Sequence, residues 1–364
     1  MRVLFDCRYT RLVRHDGISR YTSRLVEAFS KLHPVTMMIS DERQLTMLPD
    51  LPWIKIRPGA SLLEPWVALS INRVKPDIVY SPMQTVGSAH RRFRLILTVH
   101  DMVFYRTRTP PTEYNWLVRT IWWGFHLAYW PQRMTLNRAE AVVTGSYNCE
   151  REMKDVRLTK RPLSVIRPGV DQLDLPPRQH EDLKSLVYMG TFMPNKNVET
   201  LARGMAYLPG YRLHLLSRIT DEARSRLAAL APEGSIVFEN GVSDEEYIER
   251  LRSSTAMVSA CFDEGFGIPL IEGLAAGTPL VISDIPVFRE VGGPAATYFD
   301  PNSPEAFARA VLSIDNPERW NELTELALTQ AAEFSWDESA RRLLHLVTTL
   351  PPRNRKWWKP WQRG

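Results

Sequence analysis

Three cysteines in 364 residues, Cys7, Cys149 and Cys261, leave little scope for covalent or metal staples. They are odd in number, far apart and without metal-ligand spacing, so neither a disulfide framework nor a zinc site is expected; buried free thiols are. No Asp-x-Asp triplet occurs, and His, Asp and Glu nowhere gather at metal-binding spacing. The first residues, Met1-Arg2-Val3-Leu4-Phe5-Asp6, lack the apolar core and small-residue cleavage site of a signal peptide and alternate like a strand. The cytoplasm is the expected location. A spanning helix is also missing: between Arg119 and Arg133 lie 13 uncharged residues, short of the roughly 20 that a bilayer requires.

With 44% hydrophobic and 24% charged residues, the chain has the composition of a soluble globular enzyme with room for two domains. Its net charge of +5 hides an asymmetry. Residues 1–180 hold 27 Lys/Arg against 16 Asp/Glu, residues 181–350 hold 14 against 25, and the tail adds Arg353, Arg355, Lys356, Lys359 and Arg363 with no acid. A basic first half and a basic tail suit an anionic partner, although a solvated basic face explains the same count.

Short runs rich in Val, Ile and Leu at 2–6, 35–39, 77–81, 94–99, 141–144 and 163–166 read as strands buried on both faces. Between them, Ile18, Tyr21, Leu25, Ala28, Phe29 and Leu32 recur at helical spacing, which predicts an amphipathic helix over 18–32. A second series runs through 185–190, 212–217, 235–238, 256–260, 279–282 and 296–299. The pattern predicts an α/β protein of two doubly wound parallel-sheet domains. The boundaries are 1–168, joined by a crossing helix at 336–350, and 169–335, with a tail at 351–364. Ligands of such sheets bind beyond the carboxyl ends of the strands, so two facing edges would form one interdomain cleft.

The most informative segment is Glu264-Gly265-Phe266-Gly267-Ile268-Pro269-Leu270-Ile271-Glu272. Gly265 and Gly267 let backbone N–H groups approach a ligand, Pro269 suits a first helical turn, and a helix start carries partial positive charge. Eight residues of helix would set the two carboxylates about 12 Å apart, whereas paired glycosidase carboxylates lie roughly 5–9.5 Å apart. Glu264 and Glu272 therefore read as two separate binding groups, one at the turn and one inside the helix.

In this order, the motifs resemble those of the retaining glycosyltransferases of family 4, which have the GT-B fold of two facing Rossmann-like domains. The resemblance rests on Glu264 through Glu272, continuing to Gly277-Thr278-Pro279-Leu280-Val281. Supporting matches are Gly17-Ile18-Ser19-Arg20-Tyr21, Val99-His100-Asp101, Gly145-Ser146, Pro168-Gly169-Val170-Asp171 and Gly190-Thr191-Phe192-Met193-Pro194-Asn195-Lys196-Asn197. It implies that Glu272 holds the nucleotide ribose, that Glu264 contacts the donor sugar, and that Lys196 meets the diphosphate. It further implies that His100 approaches the donor sugar, with Asp101 orienting the imidazole, and that the turn at Gly17 lies against phosphate. The expected catalytic set is His100, Lys196 and Glu264; the donor-binding set is Gly17, Lys196, Glu264, Gly265, Phe266, Gly267, Ile268 and Glu272. Further candidates are Asp101, Ser146, Thr191 and Arg218. Relatives often carry Arg-Lys where this chain has Asn195-Lys196, and Arg218 is the candidate to replace the missing cation. For Gly17 an ordinary N-cap role is the alternative.

The implied reaction moves a hexose from a nucleotide sugar to a glycan or lipid-linked acceptor in cell-envelope polysaccharide or glycolipid biosynthesis. It keeps anomeric configuration and needs neither metal nor cofactor. The Gly-Ile-x-Arg-Tyr and Gly-Thr-x-x-Pro-x-Lys-Asn segments resemble those of bacterial mannosyltransferases, which points to GDP-mannose; UDP-glucose or UDP-N-acetylglucosamine is the nearest rival donor. Residues 114–130 hold four of 11 tryptophans, and Trp357, Trp358 and Trp361 crowd the tail. Tryptophan beside Lys/Arg is the composition of a membrane-interface anchor. Peripheral attachment to the inner face of the plasma membrane is expected through the tail, whereas the 114–130 helix equally suits core packing. A nucleic-acid-binding protein would use the same charge and aromatics, but no recognition motif supports it; a catalytically inactive partner subunit is the remaining alternative.

Overall fold

The structure, a computed structural model, describes residues 1–351 apart from 60, 62, 109–115, 174, 177, 179, 181 and 182. Tyr114 and Asn115, and the tail from 352 onward with its three tryptophans, lie outside the described residues. The chain divides into two compact units, Met1–Pro168 together with the segment from Trp336, and Gly169–Ser335.

In the first unit the strands are β1 (Val3–Asp6), β2 (Val35–Ile39), β3 (Trp53–Lys55), β4 (Ile78–Ser81), β5 (Arg94–Val99), β6 (Ala141–Thr144) and β7 (Leu163–Val165). In the second they are β8 (Ser185–Tyr188), β9 (Arg212–Leu215), β10 (Ile236–Phe238), β11 (Ala256–Ser259), β12 (Leu280–Ser283) and β13 (Ala296–Phe299). Among the described residues these form two sheets of seven and six strands, ordered β3-β2-β1-β4-β5-β6-β7 and β10-β9-β8-β11-β12-β13. Every pairing is parallel, with registers such as Val3↔Val35, Val3↔Ile78 and Leu280↔Ala296. Each sheet therefore reverses its winding once, between β1 and β4 and between β8 and β11.

The central strands β1, β4, β6, β11 and β12 are buried at every position, as the continuous apolar runs require of parallel strands covered on both faces. The edge strand β3 was not anticipated from the sequence. It is three residues long, its Trp53 and Lys55 are exposed, and no apolar run marks it. The first helix spans Gly17–Ser30 and turns Tyr21, Leu25, Ala28 and Phe29 inward. Its N-cap is Asp16, whose carboxylate accepts from Ser19 N at 2.8 Å, so Gly17 is the first helical residue rather than the cap.

The helix Trp336–Thr349 packs on the first helix, burying Trp336, Ala340, Leu343 and Val347 in the same core as Val3, Phe5 and Tyr21. Burial of a side chain such as Leu343 contributes about 1.5–3 kcal/mol. Ser339 Oγ donates to Arg167 O at 2.6 Å, anchoring its start.

The aromatic segment after residue 115 is not one helix. It forms Trp116–Phe125 and Trp130–Leu136, separated by a turn at His126–Tyr129. Pro131 sits in the first turn of the second helix, where it can begin a helix but could not continue one. The described side chains divide: Trp116, Trp123 and Trp130 are 77%, 47% and 62% exposed, whereas His126 is buried and Tyr129 packs against the core of the first unit. Among the described residues no helix is long and apolar enough to cross a membrane. All three cysteines are buried free thiols.

Candidate functional site

In the second unit, the carboxyl ends of β8 and β11 adjoin at the point where the winding reverses. Lys196 follows β8 and Glu264 follows β11, and their side chains form an ion pair, 18% and 20% exposed. Two loops are stitched together to achieve this. Phe262 N donates to Asn195 O at 2.9 Å, Asn195 Nδ2 to Asp263 O at 3.1 Å, and Asn197 Nδ2 to Ala260 O at 3.0 Å and Pro301 O at 2.8 Å. Asn197 adopts a left-handed conformation, φ 51°, which ends the short turn Pro194–Lys196 and begins the helix Val198–Gly204. Asparagine tolerates that region better than most side chains. Asn195, standing where a cation is expected, is thus a structural tie. Asn197 is a site-building residue that the motif contained but whose role the sequence did not disclose.

The loop 260–267 then delivers the helix Ile268–Ala275. Its N-cap is Gly267 at φ 96°, and a Cβ there would lie 3.1 Å from Leu270 and 3.2 Å from Phe288. The conformation calls for glycine, and the space leaves a methyl group tight. The eight-residue helical ruler does not apply between the two carboxylates, because Glu264 lies in the loop and only Ile268 onward is helical. Glu272 is half-buried on that helix, while Ile271 and Leu274 face the core. Phe266 is buried, its ring 5.7 Å from Phe334, which leaves its backbone rather than its ring for a ligand. Glu264 Oε1 accepts from Gly265 N at 3.1 Å, and Cys261 Sγ lies 3.9 Å from Glu264 Oε2. Burial pushes the Cys261 thiol up to about 12, keeping it protonated beside the pair. Thr191 is exposed and its carbonyl accepts from Tyr188 OH at 2.6 Å; Arg218 is exposed just beyond β9.

In the first unit, His100 follows β5 and Ser146 follows β6, both at the carboxyl edge. His100 Nε2 lies 2.7 Å from Pro82 O. A carbonyl only accepts, so Nε2 carries the proton and Nδ1 remains an acceptor. Burial lowers the imidazole's pKa, with smaller opposing effects from the Pro82 carbonyl and Asp16, and the ring stays neutral near pH 7. Tyr21 stacks edge-on at 5.2 Å. The ring is fixed through Pro82, while Asp101 Oδ1 accepts from Val103 N at 2.9 Å. Ser146 is buried as the N-cap of the helix Tyr147–Asp155, accepting from Cys149 N at 3.1 Å.

A cluster that the sequence reading missed lies at the carboxyl end of β1. Arg8 Nε donates to Asp6 Oδ1 at 2.9 Å, and its two terminal nitrogens reach Glu64 Oε2 and Oε1 at 2.9 and 2.8 Å. Ser81 Oγ donates to Asp6 Oδ2 at 3.0 Å. The Arg8 and Asp6 side chains are fully buried and Glu64 is 9% exposed. Burial raises the Glu64 pKa against the opposing pull of Arg8. The Asp6-x-Arg8 spacing at the end of the first strand was the available signal, but its second carboxylate is 56 residues away.

Two parallel sheets that each reverse once, with charged groups at the carboxyl edge of the reversal, define two Rossmann-like units, the building blocks of GT-B glycosyltransferases. The family model described as Glycosyltransferase Family 4 matches residues 15–172, and that described as Glycosyl transferases group 1 matches 173–327. The chain belongs to family 4 of the glycosyltransferases. It is similar to O-antigen chain mannosyltransferase RfbU of Salmonella typhimurium, 27% identical over 259 residues and 69% of each chain. It is also similar to O-antigen chain mannosyltransferase B of Escherichia coli, 29% identical over 178 residues and 45% of each chain. Among solved structures, sucrose-phosphate synthase of Thermosynechococcus elongatus superposes with a TM-score of 0.74 at 17% identity, covering 96% of this chain and 98% of that one. That likeness concerns the fold.

Proposed function

We propose that this glycosyltransferase moves mannose from GDP-mannose to a glycan or lipid-linked acceptor with retention of configuration, without metal or cofactor, at an anionic membrane surface. The Lys196–Glu264 pair at the mouth of a glycine-started helix carries the reading. A nucleoside diphosphate leaving group gathers negative charge as the glycosidic bond breaks. The Lys196 ammonium and the N–H groups at the start of Ile268–Ala275 can stabilise that charge, and preorganised groups of this kind often supply the largest share of catalysis. Releasing Lys196 to phosphate frees the Glu264 carboxylate to accept hydrogen bonds from sugar hydroxyls. Glu272 is assigned the ribose diol, for which a carboxylate offers two acceptors. The departing phosphate oxygen takes the proton of the attacking acceptor hydroxyl, so charge balances without a metal. His100, neutral with Nδ1 as acceptor, is assigned to a donor-sugar hydroxyl, and Gly17 to the phosphate.

Mannose is supported by the likeness to two O-antigen chain mannosyltransferases. A uridine donor, UDP-glucose or UDP-N-acetylglucosamine, is the alternative. Thermal melts with GDP, UDP, ADP and their sugar conjugates test the donor. At 100 times its dissociation constant a ligand adds about 2.7 kcal/mol, so guanine nucleotides should raise the melting temperature by several degrees. A shift with UDP alone replaces the donor, and no shift with any nucleotide overturns the reading.

A further inference from the structure

The loops that enter the first sheet at its amino edge are unlike those that leave it. The helix Trp130–Leu136 buries Gln132 and Leu136 on its inner side. Trp130 and Met134, four residues apart and hence on one face, are 62% and 54% exposed. The loop before β7 is fastened to the end of this helix. Asn137 Oδ1 accepts from Lys160 N at 2.8 Å and from Thr159 Oγ1 at 3.1 Å, Asn137 O accepts from Arg161 Nε at 2.8 Å, and Arg133 Nε donates to Arg157 O at 3.1 Å. The short helix that carries Trp130 and Met134 is thereby tied to the loop that carries Arg157, Lys160 and Arg161, which are exposed, as are Arg138 after the helix and the acid Asp155. Arg94, at the amino end of β5, donates from a terminal nitrogen to Leu350 O at 2.7 Å. Leu350 therefore lies at this same edge. His100 and Ser146 lie at the other end of the strands.

We propose that this amino-edge face docks on an anionic lipid bilayer, with Trp130 and Met134 entering the headgroup region while the four cations meet lipid phosphates. The proposal extends the membrane part of the reading above and places the contact on the folded sheet rather than on the tail alone. Exposed tryptophan ringed by Arg and Lys is the composition of an interfacial anchor. Methionine beside it offers no stacking plane for a base, which favours lipid over a nucleic acid. Each cation near an anionic surface contributes about a fivefold gain in partition.

The experiment is sedimentation of the full chain with phosphatidylcholine vesicles, with and without phosphatidylglycerol. Wild-type protein is expected to pellet with the anionic vesicles, and salt should release it. The triple variant Arg138→Glu, Arg157→Glu, Lys160→Glu should lose partition by on the order of 100-fold. The pair Trp130→Ser, Met134→Ser should weaken binding with less change in salt dependence. Truncation after Leu350 should leave a measurable remainder. Wild-type-like binding by the triple variant overturns the proposal. So does complete loss on truncation alone, or binding of a random single-stranded oligonucleotide in place of vesicles. The nucleotide-induced melting shift reports the folding of each variant and tests the donor reading separately, so failure of one does not pass for failure of the other.

Discussion

The two sheets share one design and use their charges in opposite ways. At the reversal of the first sheet, Asp6, Arg8 and Glu64 are sealed from solvent and satisfy one another. At the reversal of the second, Lys196 and Glu264 pair while still about a fifth exposed, on loops tied by asparagine side chains. A sealed triad has no bonding capacity to offer a ligand and fixes the shape of its edge. An accessible pair can exchange its partner for phosphate and sugar. The same chemistry thus serves as frame in one unit and as candidate machinery in the other, and burial decides which.

Removing one member of each cluster should expose the contrast most sharply. Arg8→Ala leaves two carboxylates buried without their cation, and breaking a buried pair in this way destabilises by about 3–5 kcal/mol. Hydrogen exchange should show the loss in peptides of the first sheet, with those of the second unchanged. The double variant Arg8→Met, Glu64→Gln should recover part of it; equal protection in wild type and Arg8→Ala would show that the triad is not a frame. Lys196→Ala should do the converse. Turnover should fall about 100- to 1,000-fold, the range found when one preorganised charge-stabilising group is lost, while the melting temperature of the free protein changes little. A large stability loss with turnover retained would reverse the assignment.

The contrast also explains what could be read from the chain in advance. Almost every strand was legible, because a parallel strand covered on both faces needs a run rich in Val, Ile and Leu, and 94–99 or 279–282 supply one. The short edge strand Trp53–Lys55 was not, since exposed residues carry no such signature. The second unit's site was legible because Glu264, Gly267 and Glu272 fall within nine residues, and Lys196 sits in its own recognisable turn. The first unit's triad was hidden because Glu64 reaches Arg8 only through the fold. The 114–130 segment was read as one helix, for its aromatic composition gave no sign that the helix stops at Phe125 and that Trp130, before Pro131, begins another.

Gly267→Ala tests whether the second loop owes its shape to local backbone rather than to the ion pair. The left-handed conformation and contacts at 3.1 and 3.2 Å would both resist a methyl group. Strain of this kind amounts to about 1–3 kcal/mol, so nucleotide affinity should fall by roughly five- to 100-fold with Lys196 and Glu264 both intact. Isothermal titration with GDP reads this directly, and unchanged affinity would place the ligand away from the helix start.

The smallest effect concerns pH and belongs to the first unit. His100 and His126 have pKa values lowered by burial, so the folded state holds them neutral where the unfolded chain would protonate them. Their contribution is fully present above the unfolded value of about 6.5 and is lost as pH falls through the lower folded values. Melting of the first unit should therefore weaken between neutral and mildly acid pH. His100→Gln keeps a donor for Pro82 O but cannot be protonated, and it should flatten that slope while leaving the neutral-pH melting temperature nearly unchanged. If the slope is the same in the variant, acid sensitivity arises at His126 or elsewhere, and the His100 imidazole is not the group that couples this edge to pH.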